Sequence, residues 1–184
     1  MSERPRANRW LGGVARWLVL GAAAFLLAGC GAGKVSTVAA AAPSGPSGPA
    51  RMICADDAQR EIQATLGIQP SAPVTAAWLD RVFTCRYRYH DGVLVLSVKD
   101  LPDKAGAATY FSSQQRTLGA QSPLQDLGEA AAATADGSVL VRKDANVLLV
   151  DVRGMPARFG QPARDRAFAA YDVAAVIMTC WVGS

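Results

Sequence analysis

The sequence predicts an α+β domain in which an antiparallel sheet, built from two hairpin–helix units, carries its helices on one face. Three observations lead to this prediction. Two stretches alternate apolar and polar residues with the period of a strand, and a turn-forming segment interrupts each of them. Three other stretches repeat apolar residues at helical spacing. Finally, the two hairpins align with each other at an offset of 54 residues.

Glycines and turn-forming segments set the bounds of the predicted elements. Gly67 and Gly119 end the first two helices, because glycine readily takes the left-handed conformation of a helix C-terminus. The segments His90-Asp91-Gly92 and Asp144-Ala145-Asn146 turn the two hairpins. The predicted elements are a helix over 56–66, strands over 83–89 and 93–98, a helix over 102–118, an irregular stretch over 124–135, strands over 138–143 and 147–153, and a helix over 164–181 that buries Phe168, Tyr171, Ala175 and Met178.

The offset of 54 residues indicates an internal repeat. Residues 93–102 align with residues 147–156, and in the same alignment Gly106 matches Gly160. Each unit is predicted to consist of a hairpin followed by a helix that begins at a proline. The similarity can also arise without a duplication, because any two hairpin–helix units share valine-rich strands and a proline at the start of the helix. Both explanations predict the same architecture.

Residues 1–29 carry the features of a bacterial export signal. Four arginines precede an apolar run of 12 residues, over 17–28, whereas a helix that spans a bilayer needs about 20. The run closes with Leu27, Ala28, Gly29 and Cys30, which form a lipobox: cleavage leaves Cys30 as a lipidated N-terminus. The alternatives are a short uncleaved anchor and a secretory signal that is cut elsewhere.

Lipidation would hold the protein on the outer leaflet of the cytoplasmic membrane, on the extracytoplasmic side. Stable anchoring takes two or more acyl chains. The likeness to bacterial lipoproteins implies a diacylglyceryl thioether on Cys30, which supplies them.

The net charge of +4 belongs mostly to the export signal. Four of the 19 Lys and Arg residues and one of the 15 Asp and Glu residues lie within residues 1–29, so the remaining chain carries about +1. A nucleic-acid-binding domain concentrates a basic surplus on its surface. The mature chain has no such surplus, and we expect no nucleic-acid partner.

The chain after the signal is predicted to have two parts. Residues 30–50 contain an alanine run and a Pro/Ser/Gly repeat, which cannot bury enough apolar surface to offset their ordering entropy. As a flexible linker they would span roughly 25 Å. Residues 51–184 have the length of one domain with its own core.

A family resemblance rests on motifs in the second half of the domain: Leu-Gly-Glu-Ala-Ala at 127–131, Asp-Gly at 136–137, Val-Leu-Val-Arg-Lys-Asp at 139–144, Val-Leu-Leu-Val-Asp at 147–151, and Cys180-Trp181. With them the chain resembles actinobacterial cell-envelope lipoproteins of unknown function. It is broadly similar to the extracytoplasmic sensor domains of some actinobacterial serine/threonine kinases. The resemblance covers most of residues 52–182 and implies a surface-tethered domain without known enzymatic chemistry.

Three cysteines remain inside the domain, and thiols outside the cytoplasm tend to form disulfides. Cys54, Cys85 and Cys180 allow three single pairings. The similar domains imply a Cys54–Cys85 bridge between the first helix and the first strand, and Cys54–Cys180 is the alternative. The remaining cysteine is expected to be a buried hydrophobic residue.

The motifs give little support to an enzyme. His90 is the single histidine, and the cysteines lack the spacing of a zinc site. The sequence contains neither a nucleophile elbow nor a phosphate-binding loop with its lysine. Paired-carboxylate hydrolysis needs two carboxylates in one cleft, which spacing alone does not place. We therefore expect a non-catalytic protein with no cofactor and no bound metal.

The candidate binding face is the side of the sheet that points away from the predicted helices. Its cations are Arg86, Arg88, Lys99, Arg142 and Arg153. Apolar residues accompany them, a mixture typical of protein interfaces and of sites for amphipathic, anionic ligands. The alternative is a solvated face whose arginine stems cover valines. The face contains Thr84, Arg86, Arg88, Val93, Val95, Ser97, Lys99, Leu140, Arg142, Val147, Leu149, Asp151 and Arg153.

Two functions fit these features. The first is a tethered binding or interaction module in the cell envelope, with an envelope protein or an anionic ligand as its partner. The second is a carrier that holds a small apolar or amphipathic ligand, such as a lipid or a peptidoglycan-related compound, between the sheet and the helices.

Overall fold

A seven-stranded antiparallel sheet forms the centre of residues 45–181, the part of the chain that the computed structural model describes. The sheet order is β1-β2-β3-β7-β6-β5-β4, and four helices accompany it, which confirms the α+β class. The elements are α1 Gly48–Met52, α2 Asp56–Leu66, β1 Thr75–Leu79, β2 Val82–Tyr89, β3 Gly92–Asp100, α3 Lys104–Leu118, β4 Ser122–Leu124, β5 Ala130–Ala133, β6 Val139–Lys143, β7 Asn146–Gly154, β8 Arg158–Phe159, β9 Arg164–Asp165 and α4 Arg166–Cys180.

The two repeated hairpins form the middle of the sheet. β3 pairs with β7, so that Leu96 lies beside Val150 and Val98 beside Leu148. The repeat ends after the hairpins. Pro102 is followed by Asp103, the N-cap of α3, whereas Pro156 leads into the small β8–β9 ribbon and α4 begins only at Arg166. The prediction that each unit continues with a proline-started helix is therefore correct for the first unit and wrong for the second.

The helices lie on both faces of the sheet, and the prediction of a single helical face is wrong. α2 and α4 pack on one face, and α3 packs on the other, against β6 and β7. The reason is that the second hairpin is apolar on both sides. Leu140 and Val147, on its second side, are buried beneath Phe111 of α3, whereas the first hairpin carries arginines there and needs no cover.

α4 turns a different stripe towards the sheet than predicted. Phe168 is 71% exposed, and the buried stripe consists of Ala169, Ala170, Val173, Ala174, Ile177 and Met178. Of the four residues predicted to be buried, only Met178 is buried, while Tyr171 and Ala175 are partly buried. Because α4 is apolar all round, periodicity does not identify its buried side.

The folded domain begins earlier than the predicted boundary between residues 50 and 51. The Ser47 hydroxyl caps α1 by accepting from the Ala50 amide at 3.1 Å, and Ala50 is completely buried. Residues 1–44, which include the lipobox at Cys30 and most of the predicted linker, lie outside the described residues.

The buried carboxylate of Asp100 fixes this N-terminal segment. It accepts hydrogen bonds from the Ser47 amide and the Ser47 hydroxyl, both at 2.8 Å, and from the Asn146 side-chain amide at 2.7 Å. Asp100 is 7% exposed. The Trp181 indole donates to the Pro49 carbonyl at 3.1 Å, so that the last described residue also holds α1.

A Cys54–Cys85 disulfide joins the segment after α1 to β2, which confirms the pairing that the family resemblance implied. Beside it, the Tyr87 hydroxyl donates to the Ile53 carbonyl at 2.6 Å. Cys180 is a free, partly buried cysteine near the end of α4. Among residues 45–181, no helix combines the length and apolar character that a bilayer crossing requires.

Candidate functional site

Within residues 45–181, one half of the second sheet face stays uncovered, and it contains part of the candidate binding face. α3 covers β6 and β7, while none of the described helices packs on the same side of β2 and β3. We call this region the open half-face. It consists of Thr84, Arg86, Arg88, Val93, Val95, Ser97 and Lys99.

Arg86 and Arg88 are the free cations of the open half-face. Both are exposed, and neither side chain has a hydrogen bond or ion pair with any residue between 45 and 181. Their cross-strand neighbours are Val95 and Val93, which are partly exposed. Two guanidinium groups therefore stand beside two accessible aliphatic side chains, an arrangement that favours a ligand or surface with both anionic and apolar parts.

Lys99 marks the border between the open half-face and α3. Its ammonium group donates to the Asp80 carbonyl and lies 5.9 Å from the centre of the Tyr110 ring. A cation at this distance from an aromatic ring is attracted to the ring face. Lys99 is thus held by the protein itself and is less available to a partner than the two arginines.

Arg142 belongs to an ion-pair cluster at the other side of α3. Its guanidinium lies 3.4 Å from the Glu129 carboxylate, which Lys104 also contacts at 3.0 Å. The hydrogen bond from Lys104, together with the charge of Arg142, holds the pKa of Glu129 below its ordinary value. The structure therefore gives Arg142 an internal partner and separates it from Arg86 and Arg88.

Arg153 also has an internal partner. It binds the Asp151 carboxylate through two hydrogen bonds, from Nε at 3.0 Å and from Nη2 at 2.6 Å. Burial acts to raise the pKa of Asp151, but the hydrogen bonds and charge of Arg153 outweigh it and leave that pKa below its ordinary value.

Asp151 shares a small cleft of about 130 Å³ with Asp136, at the C-terminal end of α3. Burial acts to raise the pKa of Asp136, and hydrogen bonds from Thr134 and Ser138 outweigh it, so this pKa is also lowered. A pair of carboxylates that hydrolyses a glycoside needs one member that stays protonated. Two lowered pKa values leave both carboxylates ionised at neutral pH.

We expect Asp151→Asn to reduce the free energy of unfolding by roughly 1 kcal/mol at pH 7, because Arg153 loses a charged partner. The pKa of Asp151 is lower in the folded state than its unfolded value of about 3.9. Its stabilisation is therefore complete above that value and is lost as the pH falls through the folded-state pKa.

Urea unfolding at a series of pH values tests this expectation. Below about pH 4, the free energy of unfolding of Asp151→Asn should fall less steeply with decreasing pH than that of the parent. Asp56→Asn, at an exposed position in the first turn of α2, serves as the control. Equal acid sensitivity in the parent and in Asp151→Asn would contradict the role given to the Asp151–Arg153 pair.

Sequence reasoning missed one part of the surface. β1 extends the open half-face, because Ala77 pairs with Thr84 and Leu79 with Val82 on the same side. Leu79 is 72% exposed, and the outer edge of β1 has no strand partner within residues 45–181. The alanine-rich sequence of β1 gave no clear strand signal, and the exposed position of Leu79 depends on its pairing.

Apolar side chains pack between the sheet and the two helices α2 and α4. Leu94, Leu96, Leu148 and Ile177 are completely buried there. Within the described part of the chain, no group of three or more metal-ligating side chains comes together.

Comparison of the chain with models of known protein families, with curated proteins and with solved structures found no match.

Proposed function

We propose that this protein is a lipid-anchored, extracytoplasmic lipoprotein whose folded domain works as a non-catalytic binding module. The lipobox at residues 27–30 and the short apolar run before it support the anchor. The Cys54–Cys85 disulfide supports an oxidising compartment. The likeness to actinobacterial cell-envelope lipoproteins also supports this proposal. We propose the outer leaflet of the cytoplasmic membrane as the place of attachment.

Cys30→Ala tests the anchor. We expect this variant to accumulate as an uncleaved precursor or to be released into the medium, because the acceptor of the lipid is gone. Intact-mass measurement and cell fractionation detect either result. Cys180→Ala removes a thiol from the folded domain and should be processed like the parent. Normal processing and membrane retention of Cys30→Ala would contradict the lipobox.

The observation that carries the binding role is a pair of guanidinium groups, Arg86 and Arg88, that have no partner among the described residues and lie beside the accessible Val93 and Val95. The other cations of the candidate face are occupied by internal contacts. We propose that the open half-face binds an anionic surface that also has an apolar part. This surface belongs to an envelope protein or to an amphipathic ligand. The lowered pKa values of Asp136 and Asp151 argue against these two carboxylates as the acid–base pair of a glycoside hydrolase.

Arg86→Glu/Arg88→Glu tests this surface. The double variant should lose the crosslinked partner that the parent captures in intact cells, because two attractive charges become repulsive. Its melting temperature should stay close to that of the parent, since neither side chain has an internal contact among the described residues.

Arg60→Glu/Arg116→Glu is the matched control, with the same change in net charge at two exposed helical positions. Crosslinking followed by mass spectrometry compares the parent, the test variant and the control. Recovery of the same crosslinked partner by the parent and by Arg86→Glu/Arg88→Glu would contradict a binding role for the open half-face.

The carrier is the alternative function, and it needs a cavity between the sheet and the helices. The fully buried Leu94, Leu96 and Leu148 occupy this space. The packing of these side chains supports the binding module over a carrier that would hold its ligand at their position.

A further inference from the structure

We infer that two copies of this protein pair through the free edge of β1, in an antiparallel arrangement that joins their sheets. The opposite edge strand, β4, is three residues long and has Pro123 in its middle. Proline lacks the amide proton that a further strand needs, and short edge strands with a proline are protected against pairing. β1 has neither protection, because it is five residues long and contains no proline and no charged side chain.

The outer backbone groups of β1 have no partner within residues 45–181. β2 pairs with one edge of β1, from Thr75 opposite Arg86 to Leu79 opposite Val82. The backbone of residues 75–79 makes no other hydrogen bond within the described part of the chain. Four of these five residues are exposed, and Leu79 is 72% exposed. A row of exposed amide and carbonyl groups is a template for another strand.

Symmetry restricts how two such edges can meet. A two-fold axis between antiparallel strands of one sheet runs perpendicular to the sheet, so that one residue on the axis faces its own copy. Only an axis at Ala77, the middle residue, pairs all five residues of β1 with all five of the second copy. Ala77 then faces Ala77, Ala76 faces Trp78, and Thr75 faces Leu79.

This register favours a second copy over a strand of another protein. Each large side chain of β1 meets a smaller one, since Trp78 lies opposite Ala76 and Leu79 lies opposite Thr75. An axis at Trp78 would instead place two indole rings against each other. No like charges meet, because β1 carries none. The strand is therefore complementary to itself, which is the requirement of a two-fold interface.

The pairing has a consequence for the open half-face. Because the axis is perpendicular to the sheet, the open half-faces of both copies lie on the same side. Arg86 and Arg88 of each copy then belong to one larger cationic surface. A strand edge of five residues buries less surface than a permanent dimer does, so we expect the pairing to be reversible.

Disulfide trapping in intact cells tests the pairing, with the full chain and with Cys180→Ala in every variant to remove the free thiol. Ala77→Cys should give a disulfide-linked dimer. Residues directly opposite each other in antiparallel strands have Cα atoms about 4.5–5.5 Å apart, which a disulfide can bridge.

Two further variants test the register. Thr75→Cys alone and Leu79→Cys alone should give no more dimer than Cys180→Ala, because each residue lies roughly 13 Å along the strand from its own copy. Thr75→Cys and Leu79→Cys, expressed together with tags of different size, should form a mixed dimer, since these two residues face each other.

Ala77→Lys should weaken the pairing, because two ammonium groups would meet on the axis. Added to the mixed Thr75→Cys and Leu79→Cys pair, it should reduce the mixed dimer about tenfold. Ser112→Lys, at an exposed position of α3, adds the same charge and should leave the mixed dimer unchanged.

Three results would overturn the inference. They are an amount of dimer from Ala77→Cys no higher than from Cys180→Ala, as much dimer from Thr75→Cys alone as from the mixed pair, and a disulfide between Ala77→Cys and a different protein. The anchor and the open half-face are tested separately, by Cys30→Ala and by Arg86→Glu/Arg88→Glu. A failure of the pairing is therefore distinguishable from a failure of the proposed function.

Discussion

Asp100→Ala should reduce the free energy of unfolding by about 3 kcal/mol, since three donors lose their acceptor at once. The donors are the Ser47 amide, the Ser47 hydroxyl and the Asn146 side-chain amide. The site is buried where α1 meets the ends of β3 and β7, so water does not easily replace the carboxylate. The result would also establish that residues 47–52 belong to the folded domain.

Chemical unfolding of the purified protein measures this effect, and Asp103→Ala provides the control. Asp103 is an exposed aspartate three residues further along, and it accepts one hydrogen bond, from the Gly106 amide at 2.7 Å. Loss of this helix cap should cost about 1 kcal/mol. A loss in Asp100→Ala no greater than in Asp103→Ala would show that the buried cluster contributes little.

The second large effect is expected from Cys54→Ala/Cys85→Ala. The disulfide spans 31 residues, and closing a loop of this length stabilises the fold by about 4 kcal/mol in the chain-entropy model. Thermal unfolding of the parent with and without reductant, and of the double variant without it, measures the contribution. The reduced parent should unfold close to the double variant.

Cys180→Ala is the control for the disulfide, because Cys180 is free and only partly buried. The free energy of unfolding of this variant should fall by no more than about 1 kcal/mol. The variant should respond to reductant as the parent does. A double variant that is as stable as Cys180→Ala would contradict the chain-entropy estimate for this bridge.

The elements with a clear local signal could be predicted from the sequence. α2 and α3 end at Gly67 and Gly119, both of which are left-handed, and β2 alternates as a strand should. Elements that depend on distant contacts could not be predicted. β5 is four consecutive alanines, which have low strand propensity and become a strand by pairing with β4 and β6. α1 lies in a Pro/Ser/Gly-rich stretch and is fixed by Asp100, 53 residues after Ser47.

The candidate surface was predictable only in part for the same reason. Strand alternation places Arg86 and Arg88 on one side of β2, and both are exposed as that pattern requires. The alternation of β7 could also have suggested the Asp151–Arg153 pair, two residues apart on one side of the strand. The Glu129 partner of Arg142 and the covering of Leu140 by α3 arise from tertiary packing, which local spacing does not encode.

The hydrogen bond between Trp181 and Pro49 has a mechanical consequence. It brings the place where the chain enters the domain next to the place where the last helix ends. A force applied to the chain before residue 47 would first load the hydrogen bonds from Ser47 to Asp100 at the end of β3 and from Trp181 to Pro49, and then the contacts of α1 with β2 and β3. The edge strand β1 would be spared, so tension would not peel the sheet open strand by strand from its side. The domain would resist pulling until its central contacts yield together.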